Sequence, residues 1–345
     1  MGMFSINLFI SSLLLGIVTI VGDTECVNIL TYEDRRTNKS SLRIVQYNAE
    51  WLYIDHDTSF DCPGSQCTWA NISEAETHLS FVAKVINELN PDIINLCEVE
   101  GCDELNMLID VMDDSYVGYL KKGTDSSTGQ NVGMLTRIDP NIDLYRTETR
   151  VAYPIYGSNC GYTGEPGTSG VSKHFITEFT IQNMNVAFIS AHLIAIPTDP
   201  VRCAQREAQA QVLQYVINDY IQKDFEIIML GDFNDYDNEV LDVNSNIPIS
   251  HTLDILKGQY GEKKDMYELI TITSQLEQKE RYSDWWDSDN NCNTSSTKDY
   301  SMIDHILVTQ KISNIVENVF VYHGYDEYCG KYNSDHYPLV IDITI

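Results

Sequence analysis

The chain has 345 residues, of which 43% are apolar, enough to bury a large core and unlike a disordered composition. Against 51 acidic side chains stand 22 Lys and Arg, a formal net charge of -29. That balance excludes a uniformly basic footprint and with it stable DNA or RNA binding, though not an enzyme that holds nucleic acid transiently as substrate.

In chain order, Leu8 to Val21 is an apolar stretch followed by Gly22 and Asp23. It is short for a membrane span and reads as a secretory signal peptide over residues 1–22. A retained N-terminal anchor is the alternative, because Lys and Arg are absent before it. No later stretch is long and apolar enough to span a bilayer, so a secreted or lysosomal protein, expected to be a monomer, follows. Residues 23–345 show no repeat or linker and are expected to form a single domain. Nine cysteines suit an oxidising route and, being odd in number, leave at least one unpaired. Cys62 and Cys67 flank a turn and suit a local disulfide. Cys97, inside an apolar run, reads as a buried thiol, and the connectivity of Cys160, Cys203, Cys292 and Cys329 stays open. Asn38, Asn71 and Asn293 each begin an Asn-x-Ser sequon and are candidate glycosylation sites.

Leu42 to Tyr47 alternates as a strand ending at Asn48. Ser73-x-x-Glu76 has the pattern of a capping box, and the apolar spacing from Leu79 to Leu89 predicts a helix stopped by Asn90-Pro91. Asp92 to Cys97 then reads as a buried strand ending at Glu98, which completes a crossover unit. A short helix is expected over Asp103–Met112, a strand over Asn131–Thr136 and a long surface loop over Tyr153–Gly170. Phe175–Ile181 and Val186–Ser190 form a hairpin around Gln182-Asn183, whose second strand runs out at His192. A helix over Cys203–Ile221 leads to the strand Ile227–Asp232. Helices are expected near Thr252–Leu256 and Asp265–Leu276, and the last strands are Met302–Val308 and Tyr337–Ile343.

Polar residues gather at the strand ends: Asn48, Glu98, His192, Asp232 with Asn234, Asp304, and Asp335 with His336. Strand ends are where sites assemble in α/β sheets. On an extended tip, Asp232 and Asn234 should share one side, and Asp235 should face away. Phosphodiester hydrolysis needs a hard cation, for which Glu98 and Asp335 are the candidate carboxylates. It also needs a base, for which His336 oriented by Asp304 is the candidate. His192 suits a donor to the charge that develops on phosphorus, and the amides Asn48 and Asn234 can hold phosphate oxygens without adding repulsion. Lys173 and Gln130-Asn131 are placed to line a substrate groove. His305 alternates away from Asp304. Asp287 and Asp289 read as solvent-facing acids, and Trp285-Trp286 as a pair packed under a loop.

Tyr47-Asn48-Ala-Glu-Trp51, Asn95-Leu-Cys-Glu98, Ser190-Ala-His192, Gly231-Asp232-Phe-Asn234, Met302-Ile-Asp304 and Ser334-Asp335-His336 come in a recognisable order. In these motifs the chain resembles the endonuclease/exonuclease/phosphatase superfamily, the deoxyribonuclease I-like fold, from residue 42 to 343. The resemblance implies a four-layer α/β sandwich of two packed mixed β-sheets flanked by helices. It implies a divalent metal ion, Mg²⁺ with Mn²⁺ or Ca²⁺ as alternatives, on Glu98, with Asn48 and Asp335 in or beside its shell. Asp232 would orient or activate the water, Asn234 and His192 would contact the phosphate, and His336 with Asp304 would act as base or donor. Between Asp232 and His336 the residue chemistry favours His336 as base, since an unperturbed Asp is a weak base at neutral pH.

The motifs imply a reaction class and leave the substrate open. A secretory signal favours a nuclease acting on DNA or RNA. A sphingomyelinase-like or other lipid or small-molecule phosphodiesterase is the alternative. A secreted binding protein that has lost catalysis is disfavoured by the complete set of acids and histidines.

Overall fold

The computed structural model describes residues 25–26, 31–54, 68–112, 115–287, 296–325 and 333–344. The chain begins with β1 (Ser41–Leu52), α1 (Ile72–Leu89), β2 (Ile93–Val99), α2 (Cys102–Asp110), β3 (Val117–Leu120) and β4 (Asn131–Thr136). It continues with β5 (Val151–Tyr153), β6 (Gly167–Ser169), β7 (Lys173–Ile181), β8 (Met184–His192), α3 (Pro200–Ile221), β9 (Glu226–Asp232), α4 (Thr252–Leu256) and β10 (Ile270–Thr271). It closes with β11 (Asp284–Trp285), β12 (Tyr300–Ser301), β13 (Asp304–Val308), α5 (Gln310–Ser313), β14 (Val316–Val321) and β15 (Leu339–Thr344).

The apolar runs of the central strands explain the layers. Consecutive residues of a strand face opposite ways, so a strand apolar on both faces needs cover on both. Ile44, Ile228, Leu230 and Phe188 meet in a core between two sheets. Their neighbours Val45 and Ile94 pack under Val82 and Ile86 of α1, and Ile227 and Met229 under Leu213 and Ile217 of α3. Helix, sheet, sheet and helix therefore stack as four layers, the architecture expected from the sequence.

Each large sheet is built on one crossover. Strands β1 and β2 pair in parallel around α1 within the order β14-β15-β1-β2-β4-β3, and β8 and β9 pair in parallel around α3 within β10-β13-β9-β8-β7. The remaining neighbours in both sheets are antiparallel. The C-terminal ends of β1, β2, β8 and β9 thus lie beside the N-terminal ends of β4, β7, β13 and β15. This shared edge collects the strand-end residues.

Several expectations change. The cap of α1 is Asn71, which accepts a hydrogen bond from the Glu74 amide at 3.1 Å, while Glu74 reaches back to the Ala70 amide. The capping box thus lies two residues before the Ser73-x-x-Glu76 pattern, because Ile72 already opens the helix. Residues 265–276 form no α-helix; they hold β10 and a short 3-10 turn, Ile272–Gln275. Residues 153–170 are not a free surface loop. Strands β5 and β6 pair across them, and a disulfide from Cys160 to Cys203 pins them to α3. Strands β3 and β14, both at sheet edges, are absent from the sequence reading. A second disulfide joins Cys26 to Cys102, and Cys97 is a buried free thiol as expected. Asn38 and Asn71 are exposed. Asn293, Cys62, Cys67, Cys292, Cys329, Asp289 and the signal segment lie outside the described residues. Among the described residues no helix is long and apolar enough to cross a membrane.

Candidate active site

The site is assembled by strand register. Asp232 ends β9 directly opposite Asp304, which begins β13. Two carboxylates would repel each other there, and His336, in the segment before β15, sets its ring between them. His336 Nδ1 donates to Asp304 Oδ2 at 2.7 Å, and Nε2 lies 3.9 Å from Asp232 Oδ2. Asp304 is fully buried and also accepts from Gln46 Nε2 at 3.0 Å. Asn48, from β1, donates to Asp232 Oδ2 at 3.0 Å and lies 3.3 Å from both Glu98 Oε1 and His336 Nε2. Three strands from two sheets and one loop therefore converge on a single amide.

Local backbone distortions aim these side chains. The pairing of β1 with β2 slips between Asn48 and Leu52, and that of β2 with β4 between Cys97 and Val99. At those bulges Glu50, Trp51 and Glu98 take left-handed conformations, with φ of 49°, 49° and 64°. Non-glycine residues in that region are uncommon and gather at functional sites. The bulge turns Glu98 out of the ladder, where its Oε2 accepts from the Trp51 amide at 3.1 Å. Gly231 has a steric reason: a Cβ there would sit 1.8 Å from the Ala191 carbonyl oxygen.

The two histidines differ in charge. Burial alone would lower His336, but Asp304 and Asp335 outweigh it and hold the ring well above its ordinary value. Burial, with Lys173 and His336 as neighbouring cations, holds His192 well below its own. His192 Nε2 lies 3.5 Å from Asp232 Oδ2 and 3.4 Å from the Lys173 ammonium, which donates to Gln130 Oε1 at 3.0 Å. Asp232 is pushed up to about 8, by burial first and then by Asp304, with His336 opposing. The premise of an unperturbed aspartate therefore does not hold for Asp232, whose raised value suits a general base.

Three other expectations need correction. Asn234 is not on an extended tip: it has φ 52°, its amide N–H caps Asp232 Oδ1 at 2.9 Å, and its side chain donates to the Leu193 carbonyl at 3.2 Å. Asn131 commits its side chain to the Gly123 amide and to the Glu100 and Gly129 carbonyls, so it braces the wall and has no donor left for substrate. The tryptophan pair divides, with Trp285 buried and Trp286 65% exposed. Asp235 does face away, onto Arg206 at 2.8 Å, and His305 turns from the site to the Asp235 carbonyl.

Two acids were missed. Glu50 accepts from the Asp335 amide and from the Thr68 hydroxyl, both at 3.0 Å, and burial followed by Glu98 pushes it up to about 7 against those hydrogen bonds. Its two-residue spacing from Asn48 was the available signal. Asp284 lies 3.7 Å from His336 Nε2 and is pushed up to about 6, chiefly by burial. Its segment carries no motif, and nothing in the sequence marked it.

Cation fit can be judged from the donors. Glu50, Glu98 and Asp335 crowd together with few cations among them, and burial and mutual repulsion raise Asp335 well above the ordinary range. Asp335 Oδ1 is buried without a hydrogen-bond partner. An all-oxygen set with an unsatisfied acceptor suits a hard divalent ion. Acids with histidines also group as Asp232–Asp304–His336 and as Asp284–Asp335–His336, each within bonding reach of one ion.

A four-layer α/β sandwich with carboxylates, an amide and histidines at one sheet edge defines a class of metal-dependent hydrolases acting on phosphoric esters. The chain belongs to the Endonuclease/Exonuclease/phosphatase family, whose family model matches residues 68–336. It is accordingly a phosphoric ester hydrolase of a divalent-metal-dependent family. Among solved structures it is similar to truncated Caenorhabditis elegans TDP2, at 17% identity and TM-score 0.51 over 88% of this chain and 98% of that one. It is similar to D. rerio TDP2 complexed with single strand DNA product, at 16% identity and TM-score 0.51 over 89% and 100%. It is also similar to the Bacteroides thetaiotaomicron mannosyl-6-phosphatase Bt3783, at 15% identity and TM-score 0.51 over 88% and 100%. No curated protein sequence matches the chain.

Proposed function

We propose that this protein is a secreted nuclease that hydrolyses phosphodiester bonds of DNA or RNA with Mg²⁺. The observation that carries the reading is the convergence of Asn48, Asp232 and the His336–Asp304 pair on one point. Glu98 and Asp335 would hold the ion, with Asn48 and Glu50 beside them. The bound ion would neutralise phosphate oxygens and stabilise the leaving oxygen. Asp232 takes a proton from the attacking water at its Oδ2, the oxygen that Asn48 orients. His336, charged, donates from Nε2 to the phosphate, and Asp304 fixes its tautomer and charge. His192 stays neutral, and the Lys173 ammonium beside it supplies positive charge to the transition state. Asn234 acts through its backbone, holding the Asp232 carboxylate in place. Two long-range disulfides support an oxidising, secretory route. The D. rerio TDP2 with its single strand DNA product is in keeping with nucleic acid as substrate, and the equally similar mannosyl-6-phosphatase makes a sugar phosphate the alternative to test.

The test is one panel of purified protein against plasmid DNA, RNA, sphingomyelin and sugar and inositol phosphates, each with Mg²⁺, Mn²⁺, Ca²⁺ or EDTA. Cleavage of nucleic acid with Mg²⁺ and none with EDTA is expected. Cleavage of sphingomyelin or sugar phosphates alone would replace the nuclease reading. Asp232→Asn and His336→Ala should each lower kcat by at least ~100-fold, the scale of a lost general acid or base. Retained activity in both would show that the residue roles are wrong.

A further inference from the structure

We propose that Gln46, braced by Asn95, is a positioning residue: it fixes the Asp304 carboxylate and, through it, aims the His336 ring at the substrate phosphate. The inference rests on the reading of His336 as phosphate donor and extends it one layer into the core.

Strand register sets the placement. Ile44, Gln46 and Asn48 alternate onto the inner face of β1, while Val45 and Tyr47 turn toward α1. Gln46 is the partner of Asn95 on the parallel neighbour β2, so both amides leave the same face of their sheet. Gln46, Asn95 and Asp304 are all fully buried. Gln46 Nε2 reaches across to the other sheet and donates to Asp304 Oδ1 at 3.0 Å, and Asn95 Nδ2 donates to Gln46 Oε1 at 2.5 Å.

The direction of these hydrogen bonds shows which end matters. A carboxylate only accepts, so Gln46 must turn its amide nitrogen to Asp304. Its oxygen is then left for Asn95, whose own nitrogen must face it. The cost falls on Asn95 Oδ1, which is buried with no hydrogen-bond partner. Such orphans are rare, and two apolar side chains would fill the place without one. Ile44 and Ile93, two residues earlier on the same two strands, pack in the apolar core between the sheets, so packing alone asks for no amide here.

The amides give Asp304 a second point of attachment. The Cβ–Cγ torsion of an aspartate is soft. Held only at Oδ2, the carboxylate and the His336 ring could turn together. With Oδ1 held by Gln46 the carboxylate plane is fixed, and His336 Nδ1, 2.7 Å from Oδ2, is fixed with it. The far side of the ring, Nε2, is thereby kept where Asn48 and Asp232 converge, at 3.3 and 3.9 Å. Hydrogen bonds behind a functional side chain set its aim in this way at many sites.

The experiment compares wild type with Gln46→Met and with Gln46→Met/Asn95→Leu, which strands neither amide and guards against misfolding of the single variant. Thermal melting reports folding. Hydrolysis of bis(p-nitrophenyl) phosphate and of a single-stranded oligothymidylate with Mg²⁺ gives kcat and KM, and the proton spectrum gives the downfield signal of the His336 Nδ1 hydrogen. In the folded double variant kcat should fall about tenfold with KM unchanged, a fraction of the ~100-fold that a 1 Å misplacement can cost. The downfield signal should move. In an Asp304→Asn background the same two changes should lower kcat by less than about twofold, because the residue they act through is already altered. A folded double variant with wild-type kcat and an unmoved signal would overturn the inference, as would a full tenfold loss repeated in the Asp304→Asn background. Either result leaves the reading of His336 intact. A wild-type chain that hydrolyses neither substrate under Mg²⁺ would instead overturn that reading, and this inference with it.

Discussion

Arg206→Met, alone and combined with Asp235→Leu, tests how the second sheet holds its two site loops in register. Arg206, on α3, is fully buried. Its Nε donates to Asp235 Oδ2 at 2.8 Å, and its terminal nitrogens donate to the Ile194 and Pro197 carbonyls, both at 3.1 Å. Asp235 follows Asn234 directly, and Ile194 lies two residues beyond His192. One guanidinium thus ties the loop after His192 to the loop after Asp232. Arg206→Met strands the Asp235 carboxylate, 1% exposed, with a hydroxyl from Ser250 and the Tyr236 amide for company. Breaking a buried pair in this way costs about 3–5 kcal/mol. In a domain of this size that lowers Tm by on the order of 10 °C. Adding Asp235→Leu removes the stranded charge and should recover most of the loss, because apolar replacements of buried pairs are often near neutral. The carbonyls of the His192 loop stay without their donor, so placement should not recover. A misplacement of about 1 Å can cost ~100-fold in rate. The double variant is therefore expected to melt near wild type by circular dichroism, with kcat down about 100-fold and KM little changed on a small diester. A well-folded double variant with kcat within about threefold of wild type would refute the reasoning.

Gly231→Ala should fail to fold or fold without activity, since its Cβ would meet the Ala191 carbonyl oxygen at 1.8 Å; a stable, fully active variant would show that β8 and β9 are not in the described register. Saturating Mg²⁺ should raise Tm, because the ion relieves the crowded carboxylates only in the folded state; at 100-fold over Kd the gain is about 2.7 kcal/mol, and a melting curve insensitive to Mg²⁺ and to EDTA would argue against this fit. Acid stability should depend on Asp139, remote from the site. Burial raises its carboxyl, but Arg35, the Thr31 hydroxyl and the Glu33 amide outweigh this and hold it far below the ordinary range. Its contribution is present above the unfolded value of about 3.9 and is lost as pH falls toward the folded value. Urea midpoints should show the gap between wild type and Asp139→Asn constant from pH 7 to about pH 4 and only beginning to narrow by pH 3; a gap that closes already above about pH 5 would count against the linkage.

The layers were legible because both faces of the central strands are apolar and the two crossover helices have clear amphipathic or capped patterns. The edge strands were not. Val316–Val321 buries only Val321 well, and Val117–Leu120 is four residues long, so neither carries the alternation that betrays a half-buried strand. The Asp265–Leu276 stretch has helix-forming residues, yet Asp237 accepts a 2.6 Å bond from the Thr271 hydroxyl and Leu269 pairs with the Lys257 carbonyl, so tertiary bonds override propensity. Asn131 shows the limit of reading a polar residue at a strand end as functional, since its amide closes three backbone hydrogen bonds instead.

Charge state was the least legible property, and the reason lies in register. Asp232 and Asp304 are 72 residues apart, yet the β9–β13 ladder sets them face to face, so Asp304 raises the cost of ionising Asp232. Burial first, and then that repulsion, makes Asp232 a base near neutral pH, while Asp304 with Asp335 makes His336 a cation. A one-residue slip of β13 would turn Asp304 toward α3 and bring His305 into its place. His336 would then lose the carboxylate that charges it, and Asp232 would return toward an ordinary aspartate, with every residue type of the motif still present. The motif fixes which groups are available. The ladder decides which of them gives up a proton and which accepts one.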